Sequence, residues 1–122
     1  MYQWVKGTTN ALVATLTESN ITLNNSAANY FSDCRWVLLG IDSENKQVAI
    51  KPVKKHEFDL KLYPEEQLHK ISVGNGYARV SSKSFMASIA ELTGAFIGNV
   101  KYSASWNDAE EMLEIDLKEV YK

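Results

Sequence analysis

Hydrophobic and polar residues alternate along most of this chain of 122 residues. A period of two is typical of β-strands that have one apolar face and one polar face. Leu12, Ala14 and Leu16 form the first such set, with Val13 and Thr15 on the opposite face. The alternation predicts strands at 11–17, 21–23, 36–42, 48–52, 58–62, 68–73, 77–80, 101–106 and 112–117.

Two segments depart from the alternation and predict helices. Residues 83 to about 93 carry an apolar stripe at helical spacing. Gly94 follows, and glycine is suited to the left-handed position after the end of a helix. A shorter helix at about 26–32 is indicated by the polar side chains of residues 24–26, which can cap a first turn. We therefore expect one domain, residues 1–122, of α+β class: mostly antiparallel β, as a strongly bent sheet or barrel-like assembly, with one well-formed helix and one short helix.

The order of the predicted elements repeats. Residues 21–53 and 78–117 each contain a strand, a helix that opens on small polar residues, and a β-hairpin. Placing Ile21 on Ala78 aligns the first strands of the two units. Two interpretations are open: an internal βαββ duplication whose copies are joined by a basic segment, residues 54–77, or two unrelated βαββ segments in one domain.

Three stretches connect this order of elements to a known family: residues 21–26, the hairpin 42–52, and residues 76–85. They resemble the swapped-hairpin family of bacterial transition-state regulators, the AbrB-like domains, in which the cell-division regulator MraZ carries two such units. The resemblance implies a dimeric DNA-binding regulator in which Arg79 contacts DNA. The sequence departs from the family pattern because neither helix entry contains a proline. The order is also similar to that of small bacterial or phage proteins.

Charge is unevenly distributed along the chain. The segment 51–83 has seven Lys or Arg and four Asp or Glu, whereas 84–122 has three against seven. The first fifty residues have three against four, so the segments sum to the net charge of −2. We expect the basic middle segment to form a surface that binds phosphates. The alternative is an ordinary solvated surface that its own carboxylates partly neutralise.

The basic middle segment supplies the candidates for nucleic-acid contact. Arg79 and Lys83 lie at the entry of the second predicted helix, where backbone N–H groups favour an anion. Lys54, Lys55 and Lys70 complete the candidate set. Outside this segment, Trp36 alternates out of the apolar face of its strand, so we expect it to contribute to an interface.

No residue pattern predicts catalysis or metal binding. His56 and His69 are the two histidines, and they lack the spacing of metal ligands. Cys34 is the single cysteine, which excludes an internal disulfide, and we interpret it as a buried structural thiol. No apolar run reaches the roughly eighteen residues of a membrane span.

These patterns predict a non-enzymatic, cytoplasmic protein without a cofactor. The first functional hypothesis is a DNA-binding regulator that binds duplex DNA through its basic face. A homodimer is part of this hypothesis. The alternative is a protein-interaction or scaffold module that uses Trp36 and exposed sheet edges.

Overall fold

The computed structural model describes residues 1, 11–94 and 99–120. The strands are β1 (Leu12–Leu16), β2 (Asn20–Leu23), β3 (Trp36–Asp42), β4 (Gln47–Val53), β5 (Leu68–Gly74), β6 (Tyr77–Ser81), β7 (Val100–Asn107) and β8 (Met112–Val120). The α-helices are α1 (Asn25–Ala28), α2 (Lys55–Asp59) and α3 (Lys83–Thr93), and 3-10 turns occupy Asn29–Phe31 and Glu65–Gln67. β-Structure therefore dominates the described part of the chain.

All of these strands join one closed antiparallel barrel, in the order β1-β2-β6-β5-β3-β4-β8-β7, and β7 pairs back onto β1. The prediction of an α+β fold is therefore wrong. A helix layer needs helices long enough to cover a sheet face, whereas α1 has four residues, α2 five and α3 eleven. Closing the sheet on itself buries its apolar face without such a layer.

The alternating apolar positions fill the barrel interior. The largest fully buried side chains include Phe31, Leu16, Ile21, Leu23, Ile50, Met86, Ile89, Leu113 and Ile115. Leu23 pairs with Ala78 near one end of the barrel, and Asn20 pairs with Ser81 near the other. Since α1 follows β2 and α3 follows β6, the two helices lie at opposite ends, where each adds buried side chains to the core.

The strand pairing has an internal two-fold pattern. β2 and β6 pair so that Ile21 faces Val80 and Leu23 faces Ala78. Adding 57 (78 − 21) to the β2 residue number and subtracting 57 from that of its β6 partner converts each of these pairs into the other. The same offset converts the β1–β2 pairing into the β5–β6 pairing. The two halves of the barrel therefore occupy equivalent positions in the sheet.

In the structure, one further strand precedes each predicted repeat unit. β1 precedes 21–53 and β5 precedes 78–117, so each half reads strand, strand, helix, strand, strand. Residues 95–98, which fall in the loop of the second unit, lie outside the described residues. The pairing pattern fits an internal duplication, and common ancestry of the two halves stays a prediction.

The segment between β4 and β5, residues 54–67, is here called the crossover. It contains α2 where the alternation predicted a strand at 58–62, so that prediction is wrong. The Lys54 N–H donates to the Glu57 carboxylate at 2.9 Å, which stabilises the first turn. Lys61, with a φ of 54°, ends the helix in the left-handed conformation. Local hydrogen bonding at both ends of α2 therefore outweighs the strand-like alternation.

Asn24 joins β1 to α1 through three hydrogen bonds. Its Oδ1 accepts from the N–H groups of Ala27 at 3.1 Å and Val13 at 3.2 Å. Its Nδ2 donates to the Ala11 carbonyl at 2.9 Å. Ser82, the cap of α3, accepts from one backbone N–H of its helix at 3.3 Å. The two caps therefore differ in how many elements they connect.

We expect Asn24→Ala to lower the free energy of unfolding by about 2–4 kcal/mol, because it removes a helix cap and two further hydrogen bonds of a part-buried side chain. The matched control, Ser82→Ala, should cost about 1 kcal/mol. Urea unfolding followed by circular dichroism measures both values. Equal losses would contradict a role for Asn24 beyond capping α1.

Candidate nucleic-acid interface

Five polar residues lie side by side across the outside of five neighbouring strands. In the sheet register, Lys101 faces Thr15, Thr15 faces Thr22, Thr22 faces Arg79, and Arg79 faces Ser72. We call these five residues the polar row. Neighbouring strands are about 4.8 Å apart, so a row across five strands spans roughly 19 Å. All five are at least partly exposed, whereas the residues on either side of Thr22 and of Arg79 are buried.

Acidic residues are absent from the strands that carry the polar row. None of the residues of β1, β2, β5, β6 and β7 is Asp or Glu. Lys70, exposed on β5, adds a third cation to Lys101 and Arg79. The strand carboxylates of the described residues are all on β3 and β8: Asp42, Glu114, Asp116 and Glu119. The outside of the barrel therefore has a cationic side and an acidic side.

A groove lies beside the polar row. It has a volume of about 380 Å³, and its lining includes Thr15, Thr22, Asn24, Tyr77 and Lys101. Arg79 adjoins these residues: its Nε donates to Thr22 Oγ1 at 3.4 Å, and its guanidinium carbon lies 5.6 Å from the centroid of the Tyr77 ring. The groove thus combines ammonium and hydroxyl donors, which bind phosphate oxygens, with an exposed ring, which stacks on bases.

The structure divides the basic residues that the sequence singled out. Arg79 and Lys70 lie on the cationic side, and Lys83 is the exposed first residue of α3, two residues after the end of β6. Lys54 lies elsewhere and forms an ion pair with Glu111 at 3.2 Å. Lys55 lines a groove near the crossover together with two carboxylates, those of Asp33 and Asp59. The structure therefore does not bring Lys54 and Lys55 to the polar row.

Sequence reasoning missed Lys101 and the hydroxyl residues Thr15, Thr22 and Ser72. Alternation alone places Lys101 on the face of β7 opposite to that of the inward-facing Tyr102, so the exposure of Lys101 follows from the sequence. Its place in one row with Arg79 does not follow, because β7 and β6 are connected only through two intervening strands, by the pairings β7–β1, β1–β2 and β2–β6.

Trp36 packs beneath the crossover, on the outside of the barrel. Its ring stacks on Phe58 with centroids 5.6 Å apart, and Val53 beside it is only 3% exposed. Two grooves, of about 560 and 430 Å³, share Phe58 and Val53 in their linings. Leu60 is 68% exposed and Leu62 is 56% exposed. We call Phe58, Leu60, Leu62 and these two grooves the crossover surface.

Cys34 is held against backbone carbonyls rather than presented to a substrate. Its Sγ donates to the Trp36 carbonyl at 2.8 Å and lies 3.7 Å from the Val53 carbonyl. Burial raises the pKa of the Cys34 thiol, and the Glu57 carboxylate adds to that rise. Burial, followed by the same carboxylate, also raises the pKa of Tyr63. Among the described residues, no cluster of His, Cys, Asp and Glu has the geometry of a metal site.

No protein-family model, curated protein or solved structure matches this chain. Within the described ranges, no helix has both the length and the apolar character that crossing a membrane requires. The proposals that follow therefore depend on the residues of the polar row and the crossover surface.

A raised thiol pKa predicts slow alkylation of Cys34. At any pH near neutrality, less of the thiol is present as thiolate than in a free cysteine, and thiolate is the reactive form. We expect iodoacetamide at pH 8 to modify the folded protein several-fold more slowly than the urea-unfolded chain, as measured by mass spectrometry. Faster modification of the folded protein would show an activated thiol and contradict the structural role.

Proposed function

We propose that this protein is a non-enzymatic binding module, a DNA-binding regulator that contacts nucleic acid through the polar row. The observation that carries the proposal is the absence of carboxylates from the five strands on which the polar row lies. A phosphate backbone that approaches this side of the barrel meets cations and hydroxyl groups without strand carboxylates to repel it.

The two kinds of side chain in the polar row have separate tasks in this proposal. Lys101 and Arg79 pair with phosphates and release the counterions that surround the nucleic acid. Thr15, Thr22 and Ser72 donate hydrogen bonds to phosphate oxygens between the cations. Contacts of this kind position the backbone without reading base sequence. A cytoplasmic location, where nucleic acid is accessible, is part of the proposal.

Substitutions on the cationic side test this function. Arg79→Gln and Lys101→Gln should each weaken binding of a fluorescein-labelled 20-mer DNA, measured by anisotropy. For the wild type, the logarithm of the binding constant should fall with the logarithm of salt concentration. Three cations, Lys70, Arg79 and Lys101, predict a slope between about −2 and −3. Each substitution should flatten that slope by about 0.7–0.9, since it removes one phosphate contact.

Lys118→Gln is the matched control, because Lys118 is exposed on β8, which carries most of the strand carboxylates. It makes the same change in net charge on a strand outside the polar row and should leave the slope unchanged. A loss for Lys118→Gln equal to that for Arg79→Gln would contradict the proposed contact surface. Undetectable DNA binding by the wild type at low salt would contradict the proposed function itself.

The crossover surface favours a second candidate function, self-association of two copies. It presents projecting apolar side chains, Leu60 and Leu62, beside two grooves that share Phe58. Charges of both signs, those of Lys61, Glu57 and Glu65, line the larger groove. A two-fold interface between identical chains needs one surface that supplies both projections and recesses and charges of both signs. We propose that two copies pack crossover to crossover.

Leu60→Asp combined with Leu62→Asp should abolish this association, because two carboxylates would enter an apolar contact. Light scattering after size exclusion should show the wild type at twice the chain mass of 13.7 kDa and the double variant at the chain mass. Val120→Asp, which changes an exposed apolar residue elsewhere, is the control and should remain dimeric. A wild type that stays monomeric at high concentration would exclude this interface.

A further inference from the structure

We infer that Tyr77 is a stacking platform for an unpaired base, so that the nucleic acid bound at the polar row is single-stranded. This inference rests on the proposed function and names its ligand class. It is carried by three observations: the packing of the Tyr77 ring on Gly74, the Arg79 guanidinium over the ring, and a groove lined by both the ring and residues of the polar row.

The Tyr77 ring is partly exposed and packs against the backbone of β5. It is 41% exposed, which leaves a large aromatic surface open to solvent. The ring lies directly against Gly74, its cross-strand partner on β5: a Cβ added at Gly74 would come within 2.4 Å of Tyr77 Cε1 and 2.5 Å of Cζ. Only glycine permits this contact, so the backbone of β5 supports the ring. Packing against β5 restricts the ring, so a base that stacks on it costs less conformational entropy than stacking on a freely rotating side chain.

The surroundings of the ring match a nucleotide rather than an apolar peptide. The Arg79 guanidinium lies over the ring, 5.6 Å from its centroid. A base that stacks on the ring takes this place, and the displaced guanidinium then pairs with the phosphate attached to that base. The groove continues past the ring to Thr15, Thr22 and Lys101, which are donors for further phosphates. A base on Tyr77 therefore places its backbone along the polar row.

Stacking on an aromatic ring selects against duplex DNA. In a duplex, each base is stacked on its neighbours and paired at its edge, so its flat face is not accessible to a side chain on a protein surface. Sequence-tolerant single-strand binders combine a cationic groove with aromatic rings on which bases stack. The cationic side of this barrel has both parts, and the phosphate contacts alone do not distinguish one strand from two.

Anisotropy titrations with a fluorescein-labelled oligothymidine 20-mer and a labelled 20-base-pair duplex test the inference. The wild type should bind the single strand at least several-fold more tightly than the duplex. Tyr77→Leu should weaken single-strand binding by about tenfold, within the range measured for loss of one base–aromatic stack. It should change duplex binding less than twofold. Tyr77→Phe keeps the ring and should retain the wild-type affinity.

Gly74→Ala separates the position of the ring from its presence. It leaves Tyr77 and every charge in the chain unchanged, but its methyl group displaces the ring from β5. We expect it to weaken single-strand binding about as much as Tyr77→Leu does. Circular dichroism of each variant, compared with Tyr77→Phe, shows whether the barrel is still folded.

A cross-linking experiment on the unmodified protein does not depend on the folding of any variant. Ultraviolet irradiation of its complex with a single strand that contains 5-bromouridine should attach the strand to Tyr77, as located by peptide mass spectrometry. Cross-links confined to other aromatic residues, or equal affinity for single strand and duplex with no effect of Tyr77→Leu, would overturn the inference and leave the proposed function standing. Absence of binding to either nucleic acid would overturn both.

Discussion

Closure of the sheet is the constraint on which the rest of this structure depends. An open sheet of this size would leave unpaired backbone groups on two terminal strands, and the pairing of β7 with β1 removes those terminal edges. Closure also fixes one inner and one outer face, so every alternating strand has to place its apolar residues inside. Because the terminal edges are joined, we assign protein contact to the crossover surface rather than to strand addition at a sheet edge.

The same closure creates the candidate site. The pairing of β2 with β6 joins segments 57 positions apart (79 − 22), and it places Arg79 beside Thr22. Pairing of β1 with β7 then adds Lys101 to the same row. Strands without carboxylates become neighbours, and the acidic β8 lies beside β4 and β7, so the topology converts a local bias in composition into two sides of opposite charge.

Sequence reasoning could predict the parts of this fold that depend on local chemistry. Alternation indicates the strands, and side-chain caps such as Asn24 and Ser82 mark where α1 and α3 begin. The α+β class was wrong because alternation does not show whether a sheet closes on itself. The prediction of a strand in the crossover was wrong, because Phe58 and its apolar neighbours alternate like a strand while backbone hydrogen bonds close α2. The polar row could not be predicted from the sequence, since it depends on pairings between segments that are distant in the chain.

The central claim is that the outside of β7-β1-β2-β6-β5 binds nucleic acid through the polar row. Amide chemical shifts of the isotope-labelled protein, recorded while an oligonucleotide is added at low salt, test it most directly. We expect the largest shifts on Thr15, Thr22, Ser72, Arg79 and Lys101, and we expect added salt to reverse them. Shifts concentrated on β3, β4 and β8, or no shifts at low salt, would contradict it.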